Sequence, residues 1–281
     1  MRIDLHTHSS ASDGTDSPGE LMANARAAGL DVVAITDHDT THGWAESAAA
    51  LPAGLRLVRG AELSCSAQGI SLHLLAYLFD PTDQALIREV TRTFDDRVHR
   101  ARTITERLAA AGYPLSWVGV LAEVAAGAAV GRPHIADALV TAGVVPNRSA
   151  AFDELLHNRS PYYVRHYALD PIDAVRLVRA AGGVPVFAHP AASARGRTVA
   201  DEVIVAMAAA GLAGLEVDHR DHTEAARAHL RGLAGELRLI ITGSSDYHGS
   251  GKANRLGENT TTPEALEALL SGARGVEVVA A

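Results

Sequence analysis

Short apolar segments alternate with helical patterns along most of this chain, and this alternation restricts the fold more than any other feature. Seven segments have the length and composition of strands, at residues 3–5, 31–36, 55–59, 71–79, 184–188, 214–217 and 239–242. Strands that alternate with helices are typical of an α/β fold with a mainly parallel sheet. We therefore predict an α/β protein whose seven core strands, mostly parallel, close into a barrel, with a short last strand at 276–279.

The alternation stops in the middle of the chain. From residue 83 to about residue 157 the pattern is helical only, with predicted helices at 83–111, 116–126, 133–142 and 149–157. We predict a barrel domain formed by residues 1–82 and 165–281, and a small helical insertion (a lid or cap domain) at 83–164. A length of 281 residues is compatible with one α/β barrel and such an insertion.

Histidine and carboxylate side chains collect at the predicted strand ends and in the loops that face them. They are His6, His8, Asp13, His38, Glu62, His73, His134, His189, Asp246 and His248. The carboxyl ends of barrel strands meet at one face, so we expect these side chains to lie together. Ten nitrogen and oxygen ligands exceed the roughly four to six that one ion takes. The sequence therefore predicts two or three divalent ions with a bridging carboxylate, and manganese, zinc and iron all suit these ligands.

Composition excludes several classes of protein. A formal net charge of −8 argues against binding long duplex nucleic acid over a broad surface. A small anionic substrate stays compatible, because bound cations reverse the local field. Cys65 is the only cysteine, which excludes an intrachain disulfide and a cysteine-based metal site. Neither a signal-peptide pattern nor an apolar run of about 20 residues is present, so we expect a cytoplasmic protein without a membrane span.

Seven motifs occur in an order that resembles the PHP (polymerase and histidinol phosphatase) superfamily. They are His6-x-His8, Thr36-Asp-His38-Asp39, Gly60-Ala-Glu62, His73, Arg132-Pro-His134, Ala188-His-Pro190 and Ser245-Asp-x-His248. The resemblance covers nearly the whole chain and implies a distorted seven-stranded barrel with a trinuclear metal site. The chain length and Gly131-Arg-Pro-His134 resemble the small stand-alone members that hydrolyse nucleoside 3′,5′-bisphosphates, and some relatives degrade short RNA from its 5′ end.

The resemblance also implies how the ligands are shared among the ions. One ion would be bound by His6, His8, Glu62 and Asp246. A second would be bound by Glu62, His73 and His134, and a third by Asp13, His38, His189 and His248. The catalytic group would be a metal-bound hydroxide held by His6, His8, Asp13, Glu62 and Asp246.

Arginines of the helical block are the predicted contacts for a second phosphate, because a guanidinium binds phosphate with two hydrogen bonds. Arg132 is the first choice, beside His134, which we also expect at the substrate; Arg97, Arg100 and Arg102 are next. With Asp95, Asp96 and Glu106 nearby, the helical arginines could instead form an ordinary solvated helix face.

Several aspartates and histidines lie outside the predicted ligand set. Asp37 and Asp39 are candidates for orienting His38. Seven histidines outside the motifs are expected to face solvent: His42, His99, His157, His166, His219, His222 and His229. His222 and Asp218 are also candidates for substrate contacts.

Four functions are compatible with this pattern. The first is a phosphatase that removes the 3′-phosphate of a nucleoside 3′,5′-bisphosphate, and the second is a 5′-to-3′ exoribonuclease on short RNA or a histidinol-phosphate phosphatase. An amidohydrolase would need a lysine after the fourth strand, whereas the only lysine is Lys252. A non-catalytic metal-binding module would not need a complete ligand set. We expect a metal-dependent phosphoesterase, manganese-bound, acting on a small phosphorylated substrate; a monomer is compatible with the sequence.

Overall fold

The computed structural model describes residues 1–165, 167–193 and 196–281. The strands in these ranges are β1 Ile3–Asp4, β2 Val32–Ile35, β3 Arg56–Ala67, β4 Ile70–Tyr77, β5 Val184–Ala188, β6 Gly214–Asp218, β7 Ile240–Gly243 and β8 Val279–Ala280. The α-helices are α1 Pro18–Ala27, α2 Trp44–Ala49, α3 Gln84–Ala110, α4 Trp117–Ala122, α5 Arg132–Thr141, α6 Arg148–Ala151, α7 Pro171–Ala180, α8 Asp201–Ala210, α9 Glu224–Leu237 and α10 Pro263–Gly272.

Strands β1 to β7 lie side by side in chain order and form a nearly closed barrel. The pairs β1–β2, β2–β3, β5–β6 and β6–β7 are parallel, while β4 is antiparallel to both β3 and β5. Thr7 and Tyr247 form a parallel bridge between the two edges, and the His8 N–H donates to the Tyr247 carbonyl at 2.8 Å. The predicted α/β barrel of seven mostly parallel strands is confirmed, and β8 pairs antiparallel with β3.

The third strand is longer than predicted, and this changes the position of Glu62. Strand β3 does not end at residue 59; it continues to Ala67 and turns through Gln68 and Gly69, both at positive φ, into β4. Glu62 therefore lies within β3, opposite Leu75, rather than after it. Because β4 runs against the parallel strands, His73 near its start lies at the barrel end where those strands terminate.

The strands are buried on both faces, as expected for a sheet that is covered by helices and closed on itself. Along β2, Val32 and Ala34 belong to one apolar cluster, which Leu266 of α10 joins. Val33 and Ile35 belong to a second cluster on the opposite face of the strand. Within the described ranges, none of the helices is long and apolar enough to cross a membrane.

Helices α3 to α6 lie between β4 and β5 in the chain and pack around a third apolar cluster, which includes Ile104, Leu108, Ile135 and Leu139. The Asp83 carboxylate begins α3 by accepting the N–H groups of Ala85 and Leu86. The helix predicted over 149–157 is only in part an α-helix, because α6 passes into a π-helical turn at Phe152–Leu156. The division at residues 83 and 164 into two domains stays a prediction.

Candidate metal centre

Glu62 lies at the middle of the predicted ligands. Its Oε2 is 3.4 Å from His6 Nε2, 3.2 Å from His8 Nε2 and 3.1 Å from His38 Nδ1. Its Oε1 is 2.8 Å from His73 Nδ1 and 3.1 Å from His189 Nε2. Imidazoles from four strands thus surround a single buried carboxylate on the long strand β3, which has both oxygens available for bridging.

The first ligand group has the dimensions of a metal site. His6 Nε2 and His8 Nε2 are 3.1 Å apart, and each is 3.4 Å from Asp246 Oδ1. Four tetrahedral ligands at about 2.1 Å from an ion lie about 3.4 Å from one another. His6, His8 and Asp246 thus bring together three ligand atoms that fit one divalent cation, and Glu62 Oε2 lies beside both imidazoles.

Two further groups adjoin the first one, and each shares a histidine with a neighbouring group. His8, Asp13, His38 and His248 bring four ligand atoms together, with Asp13 Oδ1 at 3.2 Å from His248 Nε2. His38, Glu62 and His73 form another group. The shared histidines make these groups neighbours. All of them offer nitrogen and oxygen ligands, which suit divalent cations.

Two of the ten predicted ligands are grouped differently from what the resemblance implied. His189 does not join Asp13; its Nε2 contacts Glu62, and it groups with His6 and Glu216. His134 is in none of the ligand groups of the described residues. As the third residue of α5, it accepts the Gly131 N–H through Nδ1 at 3.1 Å, and its ring lies close to Ser12 and Asp13.

Glu216 belongs to the centre and was missed by sequence reasoning. It lies on β6 with 0% exposure, and its Oε1 is 3.0 Å from His6 Nδ1. Burial alone would raise the pKa of Glu216, but the charge and hydrogen bond of His6 lower it to about 2. The available signal was a carboxylate between Leu215 and Val217 in an otherwise apolar buried strand.

Two histidines expected at the surface are buried at the same barrel end. The His219 ring lies 5.3 Å from the His189 ring, and His219 Nε2 is 3.7 Å from Asp246 Oδ2. His222 donates from Nδ1 to the Val217 carbonyl at 2.8 Å. The solvent-facing prediction is wrong for both, because the loop after β6 turns back onto the barrel. His42, His99 and His229 are exposed as predicted and His157 is half-buried, while His166 lies outside the described residues.

Asp37 and Asp39 support the loops of the centre. Asp37 accepts the Ser9 N–H at 2.8 Å and the Ser9 and Ser12 hydroxyls at 2.7 and 2.6 Å. Asp39, at a φ of +51°, accepts the Ser64 N–H at 2.7 Å and the Ser64 hydroxyl at 2.8 Å. Asp37 thus fixes the loop that carries Asp13, and Asp39 ties the loop after β2 to β3.

Backbone strain is concentrated at the same place. His189 and Asp246 have φ values of +31° and +53°, which residues other than glycine rarely adopt. Such strain is maintained only where the surrounding structure imposes it, and it is common at functional sites.

The electrostatics of the cluster favour bound cations. Burial disfavours the charged form of His8, yet Asp246 and Glu62 raise its pKa to about 9. Burial likewise opposes the charge on Asp13, but His248 and His38 hold its pKa well below the usual value. Protons on His6 and His8, whose pKa values are both raised, thus balance buried carboxylates, and divalent cations can take over this role while the imidazoles become neutral ligands.

Three of the four predicted arginines lie together. Arg97 is buried and donates from Nε to Asp39 Oδ2 at 2.6 Å. Arg100 and Arg132 lie 5.3 and 5.7 Å from the Tyr163 ring centre. Burial, with Arg132 and Arg97 nearby, lowers the pKa of Arg100 to about 9. We call Arg97, Arg100 and Arg132 the arginine trio.

Arg102 does not join the trio. Its side chain is 61% exposed and pairs with Glu106, one helical turn further along α3, at 3.1 Å. Arg102 therefore belongs to an ordinary solvated helix face, which was the alternative interpretation of the helical arginines.

Lys252 does not occupy the place that an amidohydrolase lysine would take after β4. It lies in the loop after β7, with Nζ 3.2 Å from Asp246 Oδ2. The barrel and its strand-end cluster of imidazoles and carboxylates are those of a metal-dependent hydrolase.

Comparison with known proteins agrees with this class. The PHP domain model matches residues 4–147. The chain is 34% identical over 254 residues to a 3′,5′-nucleoside bisphosphate phosphatase of Chromobacterium violaceum, covering 90% of this chain and 89% of that protein. It is 34% identical over 248 residues to a 5′-3′ exoribonuclease of Haemophilus influenzae, covering 88% and 90%.

The fold agrees as well. A crystal structure of a candidate metal-dependent phosphoesterase from Bifidobacterium adolescentis superposes with a TM-score of 0.93 at 40% identity, covering 98% of this chain and 96% of that one. This chain belongs to the PHP domain family, and it is a metal-dependent hydrolase of phosphate esters.

Proposed function

We propose that this protein removes the 3′-phosphate of nucleoside 3′,5′-bisphosphates, such as adenosine 3′,5′-bisphosphate, and leaves the nucleoside 5′-monophosphate. The observation that carries the proposal is the arginine trio, which adjoins the ligand cluster. A relative at 34% identity is named for this activity.

The trio has more positive charge than the protein itself neutralises. Within the described residues, Asp39 is the one carboxylate that forms an ion pair with it, through Arg97. Arg100 donates from Nε to the Val164 carbonyl, and Arg132 donates to the Leu156 carbonyl and the Asn158 side chain. Carbonyl and amide oxygens do not cancel a guanidinium charge, so a phosphate dianion is the expected counterion.

The trio is adjacent to the ligand groups through two contacts of Arg97. Arg97 binds Asp39, the residue after His38, and its Nη2 donates to the Ser64 hydroxyl at 2.6 Å. Ser64 lies opposite His73 in the β3–β4 ladder. A substrate with two phosphates can therefore place one on the trio and present the other to the ligand cluster. Histidinol phosphate, with one phosphate, would leave one of these places without an anion.

The helical block has a defined part in this proposal. All members of the trio come from residues 83–164, which we propose to be an insertion domain that covers the cluster. The 5′-phosphate held there would set the distance at which the 3′-phosphate meets the barrel.

We propose two or three divalent ions, manganese first and zinc or iron as alternatives. They would be held by His6, His8, Asp13, His38, Glu62, His73, His189, Asp246 and His248, with His134 nearby. When bound, such ions activate water as the nucleophile and neutralise the charge that develops on the phosphoryl oxygens.

The chain itself positions these ligands. His248 donates from Nδ1 to the Asp246 carbonyl at 2.8 Å, which leaves Nε2 to face Asp13. Glu62 joins the groups through its two oxygens. The trio holds the far end of the substrate, so that binding energy from the phosphate that does not react orients the one that does.

The test compares three substrates with one manganese-loaded preparation. Adenosine 3′,5′-bisphosphate should release phosphate faster than histidinol phosphate or a 5′-phosphorylated RNA pentamer. Arg100→Met should raise KM for the bisphosphate about tenfold or more, the size of one charged hydrogen bond. Arg102→Met, an exposed arginine on the same helix, is the matched control and should leave KM unchanged. Turnover of histidinol phosphate alone would contradict the proposal.

The second candidate is 5′-to-3′ hydrolysis of short RNA. The trio would then hold the 5′-phosphate of the first nucleotide, and the bond that breaks would be the next phosphodiester. A relative at 34% identity is named as an exoribonuclease. Release of mononucleotides from the pentamer, faster than phosphate from the bisphosphate, would favour this function over the first.

A further inference from the structure

Strand β6 carries one charged side chain inside the barrel. Glu216 has 0% exposure and lies between Leu215 and Val217, which are also fully buried. A buried carboxylate is costly unless each oxygen has a hydrogen-bond or charged partner. The identity of these partners therefore shows what the side chain does.

Each oxygen of Glu216 has a separate partner in the metal centre. Oε1 lies 3.0 Å from His6 Nδ1, and Oε2 accepts the backbone N–H of His189 at 2.8 Å. When Oε1 accepts the Nδ1–H of His6, the other ring nitrogen of a neutral imidazole carries the lone pair. That nitrogen, Nε2, is the one that faces His8 and Asp246.

The contact with His189 acts on the backbone. His189 follows β5 at a φ of +31°, a conformation that needs support from its surroundings. With its N–H held by Glu216, the His189 ring reaches Glu62, and Nε2 lies 3.1 Å from Oε1. One carboxylate thus orients a ring on β1 and a strained turn after β5.

We infer that Glu216 is a positioning residue, which directs the Nε2 atoms of His6 and His189 at the bound cations and so sets the metal affinity of the centre. This inference rests on the metal binding of the proposed function but not on its substrate. Glu216 acts through its two partners, since both of its oxygens are already used by them.

The test measures metal binding in the absence of substrate. Manganese affinity and stoichiometry are determined by competition with a chromophoric chelator for the wild type, Glu216→Ala and Glu216→Gln. Loss of such a partner typically weakens metal binding about 10- to 100-fold, and we expect this for Glu216→Ala. The glutamine variant should lose less, because its carbonyl still accepts one hydrogen bond while its amide nitrogen cannot accept the other.

The matched control is Glu258→Gln. Glu258 is a largely buried carboxylate that pairs with Arg220 at 3.3 Å, and its variant should bind manganese with wild-type affinity. Circular dichroism of the metal-free proteins checks that each variant is folded. Should Glu216→Ala fail to fold, Glu216→Gln alone decides the result.

A spectroscopic readout separates positioning from a general structural role. In the zinc-loaded protein, the His6 Nδ1–H should give a downfield proton resonance that is absent from a His6→Asn variant. This resonance should be lost in Glu216→Ala while zinc stays bound. Wild-type affinity in both Glu216 variants, or loss of one whole equivalent of metal, would overturn the inference; the second result would make Glu216 a direct ligand. A wrong substrate proposal would leave these measurements unchanged.

Discussion

The Glu62 carboxylate contacts five imidazoles, and these neighbours influence its ionisation. Burial would raise the pKa of Glu62, but His73, His38 and His6 hold it well below the usual value. A carboxylate in this position is therefore ionised at neutral pH. Its loss would leave several imidazoles without their common partner.

Glu62→Ala should therefore lower kcat more than about 100-fold, because five imidazoles of the centre lose their common carboxylate. His6→Ala should have a comparable effect through the first group. Phosphate release measures the loss, and circular dichroism should show an intact fold. Glu106→Ala, an exposed carboxylate on α3, serves as the control. Turnover retained in either ligand variant would refute the metal assignment.

The second residue-scale prediction concerns pH. In the metal-free protein the pKa of His8 is raised to about 9 by Asp246 and Glu62, against burial, so His8 is protonated at neutral pH. A metal ion needs the neutral ring and must displace this proton. Apparent metal affinity should therefore rise between pH 6.5 and pH 9, by up to about tenfold per pH unit for each proton released. Chelator competition at three pH values measures the slope. A pH-independent affinity would contradict the proton displacement.

At the scale of elements, the contacts that matter join segments far apart in the chain. Arg148 of α6 donates from Nε to Asp137 Oδ1 and from Nη2 to Asp137 Oδ2, both at 2.5 Å, and from Nη1 to the Asp13 carbonyl at 3.1 Å. A further bond, from the Ala129 N–H to the Ala11 carbonyl at 3.1 Å, joins the helical block to the same loop. The loop that presents Asp13 is thus held by two sets of hydrogen bonds. Asp37, in the loop after β2, binds Ser9 and Ser12, and Arg148 of the helical block binds the Asp13 carbonyl.

Arg148→Met should loosen this loop and leave the Asp137 carboxylate without its partner. We expect a loss of about 1–3 kcal/mol in the free energy of unfolding and a weaker metal affinity. Chemical denaturation and chelator competition measure the two effects. Arg176→Met removes an exposed pair with Asp173 and should change neither by more than about 0.5 kcal/mol. Equal effects of both substitutions would contradict a specific role of Arg148.

At the scale of the whole molecule, the ligand cluster connects strands from both edges of the barrel. His6 and His8 follow β1, while Asp246 and His248 follow β7, and these are the edges that the Thr7–Tyr247 bridge joins. Bound cations would therefore stabilise the closure of the barrel as well as support the reaction.

Removal of metal should lower the melting temperature. A ligand at 100 times its Kd stabilises the folded state by about 2.7 kcal/mol, which corresponds to roughly 5 °C for a chain of this size. Differential scanning calorimetry before and after chelation, followed by addition of manganese, measures the shift and its recovery. An unchanged melting temperature after complete removal of metal would contradict this stabilising role.

Much of the barrel was predictable because its signals are local. Each strand is a short apolar run, and polar residues come directly after such runs, so the position of His6, His8 and Asp246 at one end of the barrel could be predicted from order alone. The extent of β3 was not predictable in this way. Its second half pairs with β4, and only that pairing shows that Glu62 lies within a strand.

The surroundings of the ligands were less predictable. His219 was expected at the surface because it lies outside every motif, yet the loop after β6 places it against His189. Glu216 was missed because one carboxylate in an apolar strand has no local partner. Arg102 and Arg100 are close in sequence, and only the direction of each side chain from α3 separates the solvated residue from the buried one.

By itself the sequence determined which strands form, in what order their ends carry imidazoles and carboxylates, and hence the family and its chemistry. The tertiary structure decided which ligand faces which: His189 contacts Glu62 rather than Asp13, and Glu216 supports His6. The physical reason is that apolar periodicity and strand-end position are properties of neighbouring residues. Contacts between side chains 100 or more positions apart arise only when the barrel closes and its buried charges must find partners.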